Sequence, residues 1–209
     1  MAYDDEEQLE AIRAWWRQYG RWVIIAAIAA LALVVGWQQW TAWQDRQAAS
    51  ASADYAAILS SLNDGDRDAA GNRLQALRDA HAGSPYAAMA TLAVATASLS
   101  EGEADAAATT LGWLVANQPD SPMSVVARLR QAEALRAAGD DEAALDAIEP
   151  LPSGPLRPRF LELQGDLEVA LGNPDAAIDA YRQALESVSG QRRSLVEIKL
   201  FDLGGAPAS

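Results

Sequence analysis

The chain has 209 residues, half of them hydrophobic, with a formal net charge of −13; 46 residues are alanine, two are phenylalanine and none is cysteine. Without cysteine there is no disulfide, thiolate metal site or cysteine nucleophile, a fact that is neutral about compartment. An alanine-rich chain poor in strand formers predicts an all-α fold of thin, closely packed helices. From Arg46 onward 13 basic residues stand against 23 acidic ones, a balance of −10 (13 − 23). That argues against nucleic-acid binding, because phosphate recognition needs a positive face.

The first element is the stretch "GRWVIIAAIAALALVVGWQQWTAW", residues 20–43, which has no charge between Arg21 and Asp45. A helix over Trp22–Trp40 is about 28 Å long, close to the roughly 30 Å hydrocarbon core of a bilayer. Six of the seven tryptophans lie between positions 15 and 43, with Trp15, Trp16 and Trp22 at one end and Trp37, Trp40 and Trp43 at the other. Indoles favour the headgroup boundary, where the ring is apolar and its N–H finds a partner. Residues 1–20 are therefore a short tail and 21–43 a membrane helix contacting the lipid bilayer.

Arg13, Arg17 and Arg21 precede the span at four-residue spacing, and only Arg46 follows closely. The positive-inside rule puts the N-terminus in the cytoplasm and the bulk of the chain outside. Two other readings stay open. "ASASA" at 49–53 resembles a signal-peptide cleavage site, although it lies more than ten residues past the apolar core. The stretch could also be a core helix of a soluble domain.

Residues 46–190 repeat. Gly65, Gly102, Gly139 and Gly172 stand 37, 37 and 33 residues apart. Five residues after each comes alanine: Ala70, Ala107, Ala144 and Ala177. Nine after come Leu74, Leu111, Ile148 and Tyr181; twelve after come Leu77, Leu114, Leu151 and Ala184. Seventeen before the last three glycines stand Pro85, Pro122 and Pro155.

Each unit reads as helix, tight turn, helix. Ser84–Pro85 and Ser121–Pro122 supply an N-cap followed by proline at the first helical position, and Asn173–Pro174 looks like another capped start. The glycines end the first helix through a left-handed cap. Acidic residues open the second helix at its positive end, and the alanine lets the two helices approach closely. The two larger apolar positions, three apart, share a face. "EPLPSGPLRP" at 149–158 is a turn-rich connector. Four helix pairs result, followed in 191–209 by a closing helix near Arg192–Leu203 and a frayed "GGAPAS" tail. The first unit lacks the proline, so the membrane helix either runs into the first repeat helix or joins it through a flexible "AASASA".

No catalytic, cofactor-binding or metal residues emerge. His81, the one histidine, sits near a helix end and belongs to no catalytic sequence motif. "DGDRD" at 64–68 lacks the remaining spacing of a calcium loop, and there is no phosphate loop or nucleophile elbow. The chain reads as a non-enzyme without cofactor.

The period and the last unit, "LQGDLEVALGNPDAAIDAYRQALES", with Gly165, Gly172, Ala177, Tyr181 and Ala184, resemble the tetratricopeptide repeat. The other units are degenerate and lack the early tryptophan. The layout, with "EEQLEAIRAWWRQYGRWVI", "GWQQW", "RQAASASADYAAIL" and the closing "LVEIKLFDL", resembles the YfgM-type ancillary subunits of the SecYEG translocon. That resemblance implies a single-pass bacterial inner-membrane protein with a periplasmic repeat domain. It implies partners in the SecYEG translocon, the membrane-anchored chaperone PpiD and other periplasmic chaperones, and a role in passing exported proteins to them. The competing expectation is a repeat-type assembly factor for another envelope complex, such as cytochrome c maturation or cell division; a third is a secreted enzyme regulator released by cleavage.

Reporter fusions after Leu62 should be active only outside the cytoplasm, with the Met1-proximal sequence kept in the membrane fraction. A mature product beginning near Asp54 would overturn the anchor.

Overall fold

A computed structural model describes residues 2–205. Two units emerge, Met1–Ser50 and Ala51–Ser209. Helix α1 (Ala2–Asn63) contributes to both. In the first unit every side chain from Arg21 to Trp40 is exposed. A helix inside a soluble core would bury this apolar surface; here Ile24, Ile28, Leu31 and Leu33 all point away from protein, which requires an apolar solvent. The "ASASA" segment is helical, and within the second unit Ala51 is fully buried beside Ile58. It is therefore part of a packed helix, not an exposed cleavage loop.

The second unit contains the end of α1 and then α2 (Arg67–His81), α3 (Pro85–Ser100), α4 (Ala104–Asn117), α5 (Pro122–Ala138), α6 (Asp141–Ile148), α7 (Arg157–Ala170), α8 (Pro174–Leu185) and α9 (Gly190–Asp202). The hairpins are α1–α2, α3–α4, α5–α6 and α7–α8. All four turns share one geometry. Gly65, Gly102, Gly139 and Gly172 have φ between 76° and 87°, a conformation that a Cβ disfavours. Each glycine N–H donates to the carbonyl three residues back, from Gly65 to Leu62 (3.2 Å) through Gly172 to Val169 (3.1 Å). Each following N–H donates five back: Asp66 to Ser61, Glu103 to Ser98, Asp140 to Leu135 and Asn173 to Glu168, at 2.8–3.0 Å. These Schellman-type bonds satisfy carbonyls orphaned at the helix end.

The second helices start alike. Ala70, Ala107, Ala144 and Ala177 donate to the carbonyls of Asp66, Glu103, Asp140 and Asn173 at 3.0–3.1 Å, and all four are fully buried. Ser84 Oγ and Ser121 Oγ accept from Ala87 N (3.1 Å) and Met123 N (3.3 Å), capping α3 and α5 ahead of their prolines. Asn173 differs from its expected role. Its backbone occupies the cap position, but its side chain donates to Glu168 Oε2 at 2.9 Å and makes no cap bond.

The core is a chain of four clusters. Trp113 joins the first to the second, Leu135 the second to the third, and Leu151 the third to the fourth. Leu151 departs from the expected helical register. α6 stops at Ile148 because Glu149, preceding Pro150, is extended (φ −88°, ψ 144°). Leu151 thus sits in the connector and packs half-buried between two clusters. The small and large positions compensate across the last three hairpins, Ala95 with Leu111, Ala132 with Ile148, and Gly165 with Tyr181, all buried, whereas the first hairpin buries Ile58 with Leu74. Of the expected "GGAPAS" tail, 206–209 lie outside the described residues.

Two glycine substitutions separate packing from propensity. A Cβ on Gly165 would lie 2.4 Å from Tyr181 Cε1, whereas one on Gly71 meets nothing within 4 Å. Gly165→Ala should therefore lower stability by about 1–3 kcal/mol through overpacking. Gly71→Ala should raise it by about 0.5–1 kcal/mol. Thermal melts giving the two variants the same sign would contradict the α7–α8 packing.

Candidate partner-binding surface

The proposed membrane-interface residues lie in the first unit. Arg13, Arg17 and Arg21 are exposed, as are Trp22, Trp37, Trp40 and Trp43. The Arg21 guanidinium lies 5.7 Å from the centroid of the Trp22 ring, and the Trp40 and Trp43 rings stand 5.6 Å apart. Charged groups beside indoles at the ends of an apolar helix suit the headgroup boundary.

In the second unit the proposed repeat-defining residues are structural. The glycines hold the turns, and Ala70, Ala107, Ala144, Ala177, Tyr181 and Ala184 are buried between helices. Side-chain contacts also link α3, α5, α7 and α9 to one another. Arg130 Nη1 of α5 donates to Thr96 Oγ1 of α3 at 2.8 Å. Arg136 of α5 pairs with Asp166 of α7 at 2.9 Å, and Arg159 of α7 reaches back to Glu133 of α5 at 3.0 Å. Glu133, Arg136, Arg159 and Asp166 line a cleft of about 120 Å³ between α5 and α7.

The deepest part of this network fastens α9. Lys199, the chain's single lysine, donates to Glu162 Oε1 at 3.0 Å and to both oxygens of Asp166 at 2.7 and 2.9 Å. Glu162, only 8% exposed at its side chain, also receives Arg192 at 3.0 Å and Arg159 at 3.1 Å. The Tyr181 hydroxyl donates to Asp166 Oδ1 at 2.7 Å. Burial alone pushes both carboxyls up. For Glu162, Lys199, Arg192 and Arg159 outweigh it; for Asp166, Lys199, Tyr181 and Arg136 do. Both therefore titrate below the ordinary carboxylate range. Burial and the bond to Asp166 push the Tyr181 phenol up.

Two further arginines serve packing. Arg78 of α2 donates to Thr91 Oγ1 (3.1 Å) and the Thr110 carbonyl (3.0 Å) and stacks 4.2 Å from the Trp113 ring centroid. Burial lowers its pKa to about 10. Arg128 donates to the carbonyls of Ile148 and Pro150, holding the end of α6. Acidic residues at helix starts have local roles, as expected: Asp66 accepts from Ala69 N and Asp140 from Ala143 N, each at 3.0 Å. Among the described residues, no three His, Asp or Glu side chains gather into a metal-binding set, and His81 is the last residue of α2.

The α5–α7–α9 network was not legible from local pattern, because its ion pairs between helices join residues 26 to 37 apart. The one available signal was Glu162 and Asp166 at i,i+4 among the apolar residues of α7, with a lone lysine in the closing helix.

Stacked helix hairpins with buried alanines and left-handed glycine turns define an α-solenoid, a scaffold class that offers a broad surface to other proteins. The chain belongs to the tetratricopeptide repeat-like domain family, whose profile matches residues 13–205. A protein of Haemophilus influenzae described as an ancillary SecYEG translocon subunit is 26% identical over 205 residues, spanning 97% of this chain and 100% of its own. One of Aggregatibacter actinomycetemcomitans with the same description is 27% identical over the same coverage. A crystal structure of a tetratricopeptide repeat protein from Parabacteroides merdae superposes with a TM-score of 0.58 at 18% identity, over 74% of this chain and 60% of that one; it supports the fold alone. The chain is a repeat protein homologous to the bacterial ancillary translocon subunits. It is an inner-membrane protein with one N-terminal transmembrane helix and a periplasmic repeat domain.

Lys199→Met should uncouple α9 from α7. Because the folded-state pKa values of Glu162 and Asp166 are depressed, their stabilisation is present at neutral pH and is lost as pH falls below about 4. The variant should lose about 1–2 kcal/mol at pH 7, an amount discounted for the partial exposure of Lys199. It should also decline less steeply in acid. Melts matching the parent at both pH 7 and pH 3 would contradict this network.

Proposed function

We propose that the chain is an ancillary subunit of the SecYEG translocon. Its membrane helix holds the repeat domain beside the export channel. The repeat surface binds periplasmic chaperones, among them the membrane-anchored PpiD, and helps pass exported proteins to them. The observation that carries this reading is end-to-end similarity to two proteins of that description, anchor included. The first helices of the later hairpins support it, because α3 carries half-buried Met89, Leu92 and Val94 while α5 and α7 carry solvent-reachable charged groups such as Arg130, Arg136 and Arg159. The acidic balance from Arg46 onward favours faster association with basic client or chaperone segments, an effect that salt weakens.

Anchor and repeat domain have separable tasks in this scheme. The span supplies locality, and its small residues Ala26, Ala29, Ala30 and Gly36 offer a face for close approach by another membrane helix. The full chain should copurify with SecYEG from detergent-solubilised membranes. Replacing 22–40 by an unrelated single span should weaken that copurification while leaving chaperone binding by the repeat domain. Copurification with a cytochrome c maturation or division complex in place of SecYEG would overturn the assignment.

A further inference from the structure

The two ends of the membrane span share an aromatic girdle but differ in charge. At the periplasmic end Asp45 and Arg46 stand side by side and cancel. At the cytoplasmic end Arg17 and Arg21 have no acidic residue within four positions on either side. Both are exposed. Among the described residues Arg17 makes no hydrogen bond or ion pair, and Arg21 meets only the Trp22 ring, at 5.7 Å. Arg13 differs, with Glu10 three residues before it. Helical geometry sorts the side chains at this end. Trp15, Tyr19 and Trp22, at i, i+4 and i+7, share one face, with the Trp15 and Tyr19 rings 5.9 Å apart. Arg17 and Arg21, at i and i+4, form a row on the other side, about 6 Å apart along the axis. Gly20 adjoins that row and is the one buried residue from Trp15 to Trp40. Trp16 buries it: a Cβ on Gly20 would lie 3.2 Å from Trp16 Nε1 and Cε2. The missing side chain lets the N–H edge of the indole lie against the helix beside the arginine row.

We propose that Trp16, Arg17 and Arg21 form a binding site for the phosphodiester headgroup of an anionic phospholipid in the cytoplasmic leaflet. Two guanidiniums and an indole N–H supply donors only, and phosphate oxygens are acceptors only, so the two sets are complementary. Position favours a lipid over a free anion. Arg21 adjoins the apolar stretch, which places it at headgroup level. Ile24 and Ile28, seven and eleven positions after Arg17, continue the row into the span and are exposed along it. An acyl chain below the headgroup has that apolar row to lie on, whereas a phosphate ion does not. Charge favours an anionic lipid over a zwitterionic one, because the latter brings an ammonium to two unpaired cations. The site is independent of which complex the repeat domain joins. A headgroup held by Arg17 and Arg21 fixes the depth and rotation of α1 at the cytoplasmic face.

Native mass spectrometry of the full chain in a neutral detergent, titrated with phosphatidylglycerol or phosphatidylcholine, tests the site. The chain should retain phosphatidylglycerol roughly 25-fold more tightly than phosphatidylcholine, about fivefold for each arginine. Arg17→Gln and Arg21→Gln should each weaken phosphatidylglycerol about fivefold and leave phosphatidylcholine unchanged. Helix content should stay the same, since both positions are exposed. Trp16→Phe, which keeps a ring and removes the donor, should weaken phosphatidylglycerol by a smaller factor. Arg46→Gln, at the periplasmic end, should match the parent. Inorganic phosphate at the lipid's own concentration should not displace it. Equal retention of the two lipids by the parent would overturn the site. So would parent-like retention of phosphatidylglycerol by the Arg17→Gln, Arg21→Gln double variant, or displacement of the lipid by inorganic phosphate.

Discussion

The repeat domain depends on one backbone constraint, applied four times. A glycine at positive φ lets the chain reverse within a few residues while its N–H and the next one return to the helix just ended. That pair of bonds fixes where the second helix starts. Only then does the alanine five residues on fall at the crossing point, where a larger side chain would force the helices apart. In the last three hairpins the larger apolar side chain a turn further on fills the space left by a small residue on the first helix. Stability is thus distributed over hairpins and their junctions, as expected for a quasi-one-dimensional array.

Junctions are where the units differ. Trp113 and Leu135 extend each cluster into the next, while α6 is cut short and a connector residue, Leu151, does the same for the third junction. On the outer side Arg128 ties the α6 end by donating to its carbonyls. On the α5–α7–α9 face the join is ionic. Seven charged groups, four positive and three negative, meet around Glu162 and Asp166. Such a network resists removal of one member more than it adds net stability, because each partner left behind would be a poorly solvated charge. It therefore fixes the placement of α9 against α7.

Much of this was legible in the sequence, where a single physical requirement selects a residue type. Gly102 or Gly139 is identifiable because few other residues accept the turn. Ala107 and Ala144 are identifiable because the crossing excludes bulk. The uncharged span with flanking tryptophans needs no tertiary information. Legibility failed where roles depend on distant helices. Nothing local to Lys199 announces its contacts with α7. Asn173 has the composition of a cap, yet its side chain turns to Glu168. The register assigned to Leu151 assumed a full-length second helix, which the extended Glu149–Pro150 segment ends early.

The central claim is that an anchored periplasmic scaffold meets its partners on the face of its first helices. Photocrosslinking amino acids in living cells test it most directly, placed at Arg130 and Ala137 of α5 and, for comparison, at exposed Asp179 of α8. Adducts with translocon or chaperone subunits from the α5 positions, and few from Asp179, are the predicted result. Adducts chiefly from Asp179 would contradict the account.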